Sequence, residues 1–305
     1  MSLYLKYRPT TLDHVKGNID ILDTLAKMLS NVEECPHAFL LYGQTGCGKT
    51  TIGRIIANNL GCKGNDFREI DSADFRGIDM VREIRKQAHY KASEGTCRVW
   101  LIDECHKLTN DAQNALLKMI EEPPSHVYVI LCTTEPQKLL ETVKGRCSQF
   151  QVKPLSEPQM YGLLRRIVKS EEETLDKEIF DIIIRDSLGR PRNALVILEQ
   201  VLRAEPNRRA EVALQVAAEQ SQMIDLCRVL IKPNASWKEV NNKLRGLKDQ
   251  EAESIRRVVL GYCQAILLKS DMQRAGVVLE AFIDPFYDSG FPQLVYACYS
   301  IIKTK

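Results

Sequence analysis

Residues 37–51 read His37-Ala38-Phe39-Leu40-Leu41-Tyr42-Gly43-Gln44-Thr45-Gly46-Cys47-Gly48-Lys49-Thr50-Thr51. The apolar run Ala38 to Tyr42 has the length of a buried strand, and it runs into a glycine-spaced turn. Beyond the turn, Ile52-Gly53-Arg54-Ile55-Ile56-Ala57 continues as an apolar-rich helix. Strand, glycine-rich turn and helix in this order convert the string into a phosphate cradle. Gly43, Gly46 and Gly48 let successive N–H groups point at one spot, and the helix N-terminus adds partial positive charge there. Gln44, Thr45, Cys47 and Thr51 complete the cradle, Lys49 neutralises β- and γ-phosphate oxygens, and the Thr50 hydroxyl holds Mg2+. The competing reading is a chance glycine turn, which the flanking strand and helix argue against. Such a loop reads phosphates only and does not choose between ATP and GTP.

A second apolar run, Arg98-Val99-Trp100-Leu101-Ile102, ends in Asp103-Glu104, 54 positions after Lys49. That distance suits a loop, helix, strand and helix between the two motifs. An acid at the carboxyl end of a buried parallel strand sits in the crevice where open α/β sheets bind ligands. Asp103 then reaches Mg2+ through a water, and Glu104 polarises the attacking water. Alternatively, the two acids cap the helix of residues 108–122; the upstream cradle favours the catalytic reading.

Outward from these motifs, short apolar strands are predicted at 38–42, 67–71, 98–102, 127–132 and 149–152. Helices are predicted at 18–30, 49–60, 78–91, 109–121 and 136–143, which implies a parallel sheet covered by helices. After Pro154 the pattern becomes all-helical, opening with Ser156-Glu157-Pro158 as a cap and first-turn proline. Helices follow at 157–170, 175–187, 191–203 and 208–219, and a further set begins near Gln222. The expected domains are therefore an α/β domain at 1–155, a small helical domain at 156–220 and a C-terminal helical domain at 221–305. With 42 Lys+Arg against 40 Asp+Glu, the net charge is only +2, so any nucleic-acid contact is a local patch. The ten cysteines include no C-x-x-C pair, which argues against zinc and disulfides and for a reducing compartment. The opening MSLYLKYRP lacks a signal-peptide pattern, and no apolar run approaches 18 residues. A cytoplasmic protein without membrane contact is expected.

Five stretches in one order now form a pattern: KYRP at 6–9, the cradle, VWLIDECHKLTNDAQNALLKMIEEPP at 99–124, LCTTEPQKLLETVKGRC at 131–147 and GRPRNALVILEQ at 189–200. This pattern resembles the clamp-loader branch of the AAA+ ATPases, in the manner of the DNA polymerase III gamma/tau and replication factor C small subunits. The resemblance covers residues 1–205. It implies an AAA+ P-loop sheet of Rossmann-like order, a helical lid and a helical collar through which subunits oligomerise. It also implies an ATPase motor subunit that uses ATP and Mg2+ to open a ring-shaped sliding clamp and place it on primer–template DNA. Its partners would be other loader subunits, copies of itself in a ring or spiral, the clamp and the DNA, in a bacterial or viral replication system.

By the same resemblance, Arg146 of GRC matches the arginine that enters the neighbouring subunit's nucleotide site, although Gly145 stands where the pattern has serine. Thr134 matches a sensor threonine that bonds the γ-phosphate or the attacking water, with Thr133 as the alternative. Arg192 matches the lid arginine that touches phosphate, with Arg190 two residues away. Arg8, beside Tyr7 and Pro9, matches the segment packed near the adenine. The stretch from Ser72 to Arg82 resembles one whose helix N-termini follow the DNA backbone, which nominates Arg76, Gly77 and Arg82, with Thr109 at the next helix start. Arg76, Arg82, Arg85 and Lys86 also read as the solvated face of an amphipathic helix. The gamma pattern carries a four-cysteine zinc module after the first helix; only Cys62 remains here, so no zinc is expected. A non-hydrolysing stator subunit should lack Lys49, and a superfamily 2 helicase, suggested by Asp103-Glu104-Cys105-His106, needs a second motor motif absent from residues 155–305.

Overall fold

In the computed structural model, strand and helix alternate along the first half of the chain. The structure describes residues 1–72, 77–248, 250–268, 270–286 and 289–303. Helices α1 (Leu3–Lys6) and α2 (Ile19–Ser30) precede β1 (Ala38–Tyr42) and α3 (Lys49–Asn59). There follow β2 (Phe67–Asp71), α4 (Ile78–Ala88), β3 (Arg98–Asp103), α5 (Asn110–Glu121), β4 (Val127–Thr133), α6 (Glu141–Lys144) and β5 (Ser148–Gln151). The five strands form one parallel sheet in the order β2-β3-β4-β1-β5.

Side chains of a strand alternate between faces, and here each face has its own core. Phe39, Leu41, Leu101 and Ile130 pack with α2 and α3 residues such as Leu25, Ile52 and Ile56. Leu40, Ile102, Val129 and Leu131 pack on the other face with Val81 and Ile84 of α4 and Leu116 of α5. The central strand β4 is buried along its whole length, whereas edge strand β2 is largely open. Continuous apolar runs in the central strands follow from burial on both faces.

Register sets the geometry of one sheet edge. Tyr42 stands opposite Thr133 and Asp71 opposite Asp103, so β1, β3 and β4 end side by side. The cradle, the Asp103-Glu104 pair and Thr133-Thr134 therefore emerge together at the carboxyl edge, where such sheets hold ligands.

Helices α7 (Glu157–Ser170), α8 (Lys177–Ser187) and α9 (Pro191–Arg203) follow the sheet and belong to the same compact unit, Met1–Pro206. The α7 start is capped by Gln159, whose Oε1 accepts the Ser156 N–H at 3.0 Å. Asn18 and Lys153 exchange two hydrogen bonds of 3.0 and 2.8 Å, tying the segment before α2 to the segment after β5. The buried Asp66 carboxylate accepts the N–H groups of Ser93, Glu94 and Gly95 at 2.7–2.9 Å, as well as the Ser93 hydroxyl.

A second unit, Asn207–Lys305, holds α10 (Arg209–Leu230), α11 (Trp237–Gly246), α12 (Ala252–Leu267), α13 (Gln273–Ala281) and α14 (Gly290–Lys303). Its own core includes Leu226, Leu230, Ile255, Val259, Phe282, Phe286 and Leu294. The buried Glu253 accepts two bonds of 2.7 Å from Arg256 and the Phe286 N–H at 3.0 Å.

Two expectations are corrected. The break expected near residue 220 does not occur: α10 runs through it, because neither glycine nor proline interrupts 207–232, and the compact units part at Pro206 and Asn207. The helix expected at 136–143 is a 3-10 turn, Pro136–Lys138, followed by the four-residue α6, because Leu139 and Leu140 are extended. All ten cysteines are free thiols, and all except the half-buried Cys147 lie in apolar interior. Burial pushes the Cys227 thiol up to about 12. Among the described residues, no helix is long and apolar enough to cross a membrane.

Candidate nucleotide site at the carboxyl edge of the sheet

The loop 43–48 has the backbone that its glycines permit. Gly43 sits at φ +148°, and a Cβ there would stand 2.1 Å from the Val152 carbonyl oxygen, so no larger residue fits. Gly46 and Gly48 follow at φ +80° and +106°, and nothing lies within 4 Å of a Cβ placed on Gly48. The loop thus curls around open space. Lys49 is the first residue of α3, and its buried ammonium donates to the Gly43 and Gln44 carbonyls at 2.9 and 3.0 Å. Thr50 Oγ1 donates to Asp103 Oδ2 at 2.6 Å, while Asp103 Oδ1 accepts the Glu104 N–H at 2.9 Å.

Glu104 adopts φ +48° and ψ +38°, a left-handed conformation that costs a non-glycine residue about 1–3 kcal/mol and gathers at functional sites. Its Oε2 accepts from Thr134 Oγ1 at 3.3 Å and lies 3.2 Å from His106 Nδ1. The neighbouring Thr133 is fully buried and accepts the Glu135 N–H at 3.0 Å. The two adjacent threonines therefore part, one toward Glu104 and one into the core. Burial pushes the His106 imidazole below the ordinary histidine range, against the opposing pull of Glu104 and Glu135.

A cleft open to solvent lies beside the loop. One wall is the loop and α3 start, including Thr45, Gly46, Cys47, Thr51 and Ile52; a second is Tyr4, Tyr7, Arg8, Pro9, His14, Val15 and Lys16; a third is Leu155, Leu163, Pro191, Arg192 and Leu195. Arg192 meets the loop through its backbone, its N–H donating to Gly46 O at 3.4 Å, while Arg190 Nε donates to Gln44 Oε1 at 3.4 Å. The Arg8 backbone N–H donates to Leu5 O at 3.3 Å, while its guanidinium has no hydrogen-bond or ion-pair partner among the described residues. Burial lowers its guanidinium pKa, and Arg54 and Arg192 add repulsion. Arg8, Lys49 and Arg192 together give the cleft a partly desolvated cationic lining, one residue from each wall, which an anionic ligand would neutralise. The N-terminal wall is pinned to the helices behind it. Leu3 N–H donates to Glu199 Oε2 at 3.1 Å, Lys6 Nζ to Glu171 Oε1 at 2.7 Å, and the Tyr7 hydroxyl to the same Glu171 oxygen.

Arg146 is absent from this cleft. It precedes β5, whose Ser148 stands opposite Phe39, so it lies at the amino edge of the sheet while the loop lies at the carboxyl edge. Its exposed guanidinium pairs with Glu121 at 2.6 Å and donates to Thr142 O at 3.0 Å. Of the residues nominated for DNA contact, Gly77 is the N-cap of α4, and Thr109 caps α5 by accepting the Ala112 N–H at 3.2 Å. Arg82 is exposed and pairs with Asp79 at 3.0 Å, and Arg76 lies outside the described residues. The α4 and α5 N-termini both follow carboxyl ends of neighbouring strands.

Sequence reasoning missed His106 and Glu135 beside Glu104, and Lys16, Leu163 and Leu195 in the cleft wall. The leucines read only as ordinary apolar helix positions. His106 was legible as a letter within Asp103-Glu104-Cys105-His106, but not as a neighbour of Glu104 and Thr133.

Comparison with known proteins starts from residues 65–156, which match the family model for DNA polymerase III, delta subunit. The DNA polymerase III subunit tau of Bacillus subtilis is 31% identical over 309 residues, covering 93% of this chain and 54% of that protein. The DNA polymerase III subunit gamma/tau of Mycobacterium tuberculosis is 35% identical over 225 residues, covering 66% of this chain and 39% of that protein. The chain belongs with the clamp-loader AAA+ proteins. This clamp-loader protein spans about two fifths to about half the length of those two relatives. Among solved structures, the RuvB Holliday junction branch migration motor of Thermotoga maritima superposes with a TM-score of 0.61 at 17% identity, covering 79% of this chain and 85% of that one. A DNA polymerase III gamma subunit-related protein of the same organism gives 0.51 at 16% identity, covering 92% and 98%. Both show the fold.

The AAA+ fold of this clamp-loader protein implies a nucleotide and Mg2+, and the residues fit both. The open loop with Lys49 at its base suits a polyphosphate, and the Thr50–Asp103 oxygen pair suits a hard cation completed by water and phosphate oxygens. Among the described residues, no group of three or more His, Cys, Asp or Glu is placed to hold a metal ion by itself.

Proposed function

We propose that this clamp-loader protein is an ATPase motor subunit of a sliding-clamp loader acting in cytoplasmic DNA replication. The observation that carries this reading is the convergence of Lys49, Thr50–Asp103 and Glu104–Thr134 on one cleft, with Arg146 exposed at the opposite sheet edge. When bound, ATP with Mg2+ supplies the reacting γ-phosphate and the cation that offsets its charge. Lys49 would exchange its two carbonyl partners for phosphate oxygens, and Thr50, with Asp103 through a water, would hold the cation. Glu104 accepts a hydrogen bond from the attacking water and aims it. Thr134, already bonded to Glu104, links that carboxylate to the phosphate side of the cleft. The Thr133 alternative is disfavoured, because its hydroxyl is buried and committed to the Glu135 N–H.

The helices of 156–206 act as the lid, with Arg192 rather than Arg190 reaching phosphate, since Arg192 lines the cleft. Arg8 neutralises charge beside the base-binding wall. Arg146, too far round the sheet to serve its own cleft, serves the cleft of an adjacent copy or related subunit, and residues 207–305 form the collar that holds such subunits together. There a planar cation against developing phosphate charge is worth about 10³–10⁵ in rate. Helix N-termini at Gly77 and Thr109, with Arg82, and with Arg76 in the same segment, follow DNA phosphates without reading bases, which suits a machine loading a clamp on any primer–template.

Steady-state ATP hydrolysis measured against protein concentration, with and without primer–template DNA and with Lys49→Ala as blank, tests the reading. Turnover per chain should rise with concentration and rise again with primed DNA. Flat, DNA-insensitive turnover would sink the self-assembling loader.

A further inference from the structure

Glu104 is restrained on one side only. Its Oε2 takes the Thr134 hydroxyl and faces His106 Nδ1, whereas Oε1 has no partner among the described residues. His106 sits two residues further on, in the 3-10 turn Cys105–Lys107, with 7% of its side chain exposed. Both ring nitrogens have defined neighbours. Nδ1 stands 3.2 Å from Glu104 Oε2 and 3.0 Å from Thr133 Oγ1, and Nε2 stands 3.3 Å from Glu135 Oε1. Glu135 is itself held by Lys138 at 2.9 Å. The ring is thus wedged between the strand end that carries Glu104 and the strand end that carries both threonines.

We infer that His106 is a positioning residue for Glu104: its Nδ1–H holds Oε2, so that Oε1 is presented to the attacking water. Glu104 is a short lever on a left-handed backbone, and without a second donor its carboxylate is free to rotate about the single Thr134 contact. A water-orienting carboxylate must hold its aim to within a few tenths of an ångström, and supports of this kind are worth about 10–100-fold in activity. Thr133 Oγ1, 3.0 Å from the same nitrogen, fixes the ring from the core side. The inference rests on the ATPase reading given above.

The test compares three side chains at position 106 in the full chain, assembled on primed DNA. Asparagine places its amide nitrogen where Nδ1 stands, glutamine places it where Nε2 stands, and leucine supplies neither donor. His106→Leu and His106→Gln should lower kcat about 10–100-fold with KM and affinity for a non-hydrolysable ATP analogue unchanged, and His106→Asn should retain most of the turnover. In a Glu104→Gln background, single-turnover rates should be insensitive to His106→Leu, because the carboxylate to be aimed is gone. Wild-type kcat in His106→Leu overturns the inference. So does equal loss in all three variants accompanied by weaker analogue binding or a lower Tm, which marks a merely structural histidine. Additive loss in the Glu104→Gln background overturns it as well. A wild-type chain that binds the analogue but never hydrolyses ATP, at any concentration or with any DNA, sinks the ATPase reading first and this one with it.

Discussion

Lys49 has its ammonium tied to two carbonyls of the very loop it is to serve, so the cradle is braced from within. Lys49→Ala should therefore do two things. It should weaken nucleotide affinity by at least about 100-fold, since a charge-assisted bond inside a partly desolvated cleft is lost, and it should loosen the loop before any ligand arrives. Fluorescent-nucleotide titration checks the first effect and amide exchange at 44–48 the second. Glu104→Gln should preserve binding while cutting turnover about 100-fold or more; turnover at the wild-type rate would remove Glu104 from its water-orienting role. Thr134→Val should lower kcat with little change in Tm, whereas Thr133→Val should lower Tm, because it removes a fully buried hydroxyl that accepts the Glu135 N–H. The meeting of Lys49, Thr50, Asp103 and Glu104 at one sheet edge was legible in the sequence, because their positions are bound to fixed spacing along strand, turn and helix. The choice between Thr133 and Thr134 was not, because both stand at a strand end and only the three-dimensional packing says which hydroxyl is already engaged.

Among the connecting elements, Asp66 does for the loop at 93–95 what an N-cap does for a helix, gathering three amides and a hydroxyl on one carboxylate. Burial alone would raise its pKa, but the Ser93, Glu94 and Gly95 amides outweigh it and hold the carboxyl at about 2, below the ordinary 3.8. A depressed acid stabilises the fold fully above the unfolded value and loses that contribution as pH falls through the folded one. Urea midpoints between pH 5 and pH 2 should therefore fall steeply for the wild type and less steeply for Asp66→Asn. Asp66→Ala should cost about 3 kcal/mol at neutral pH, read from the same titrations. Strand positions were legible to within a residue, since apolar runs between turn residues have few other uses. Helix ends were less so. The α10 helix outran its expected stop because nothing in 207–232 breaks a helix. The short α6 was overestimated because the extended pair Leu139-Leu140 leaves no glycine or proline of its own in the sequence.

On the scale of the whole molecule, two compact units meet in sequence at Pro206 and Asn207. A fragment ending at Pro206 carries the entire cleft. It should fold with its own cooperative transition and bind nucleotide, yet sediment as a monomer at concentrations where the full chain self-associates; aggregation of the fragment would deny it independent folding. Mixing Arg146→Ala with Lys49→Ala protein should restore part of the lost turnover, since each supplies what the other lacks, and no recovery at any ratio would count against a shared site. The placement of the cradle at one sheet edge and Arg146 at the other also fixes a symmetry. A two-fold contact confined to either edge would bring cradle to cradle or arginine to arginine, completing neither. Head-to-tail contacts join unlike edges, and such contacts either close into a ring or leave an arc with two unequal ends. If Arg146 completes a neighbour's cradle, an open arc of n such chains would hold n − 1 complete sites, with a spare cradle at one end and a spare arginine at the other. Those unlike ends are where a chain of different sequence, needing only half of this machinery, could be accommodated.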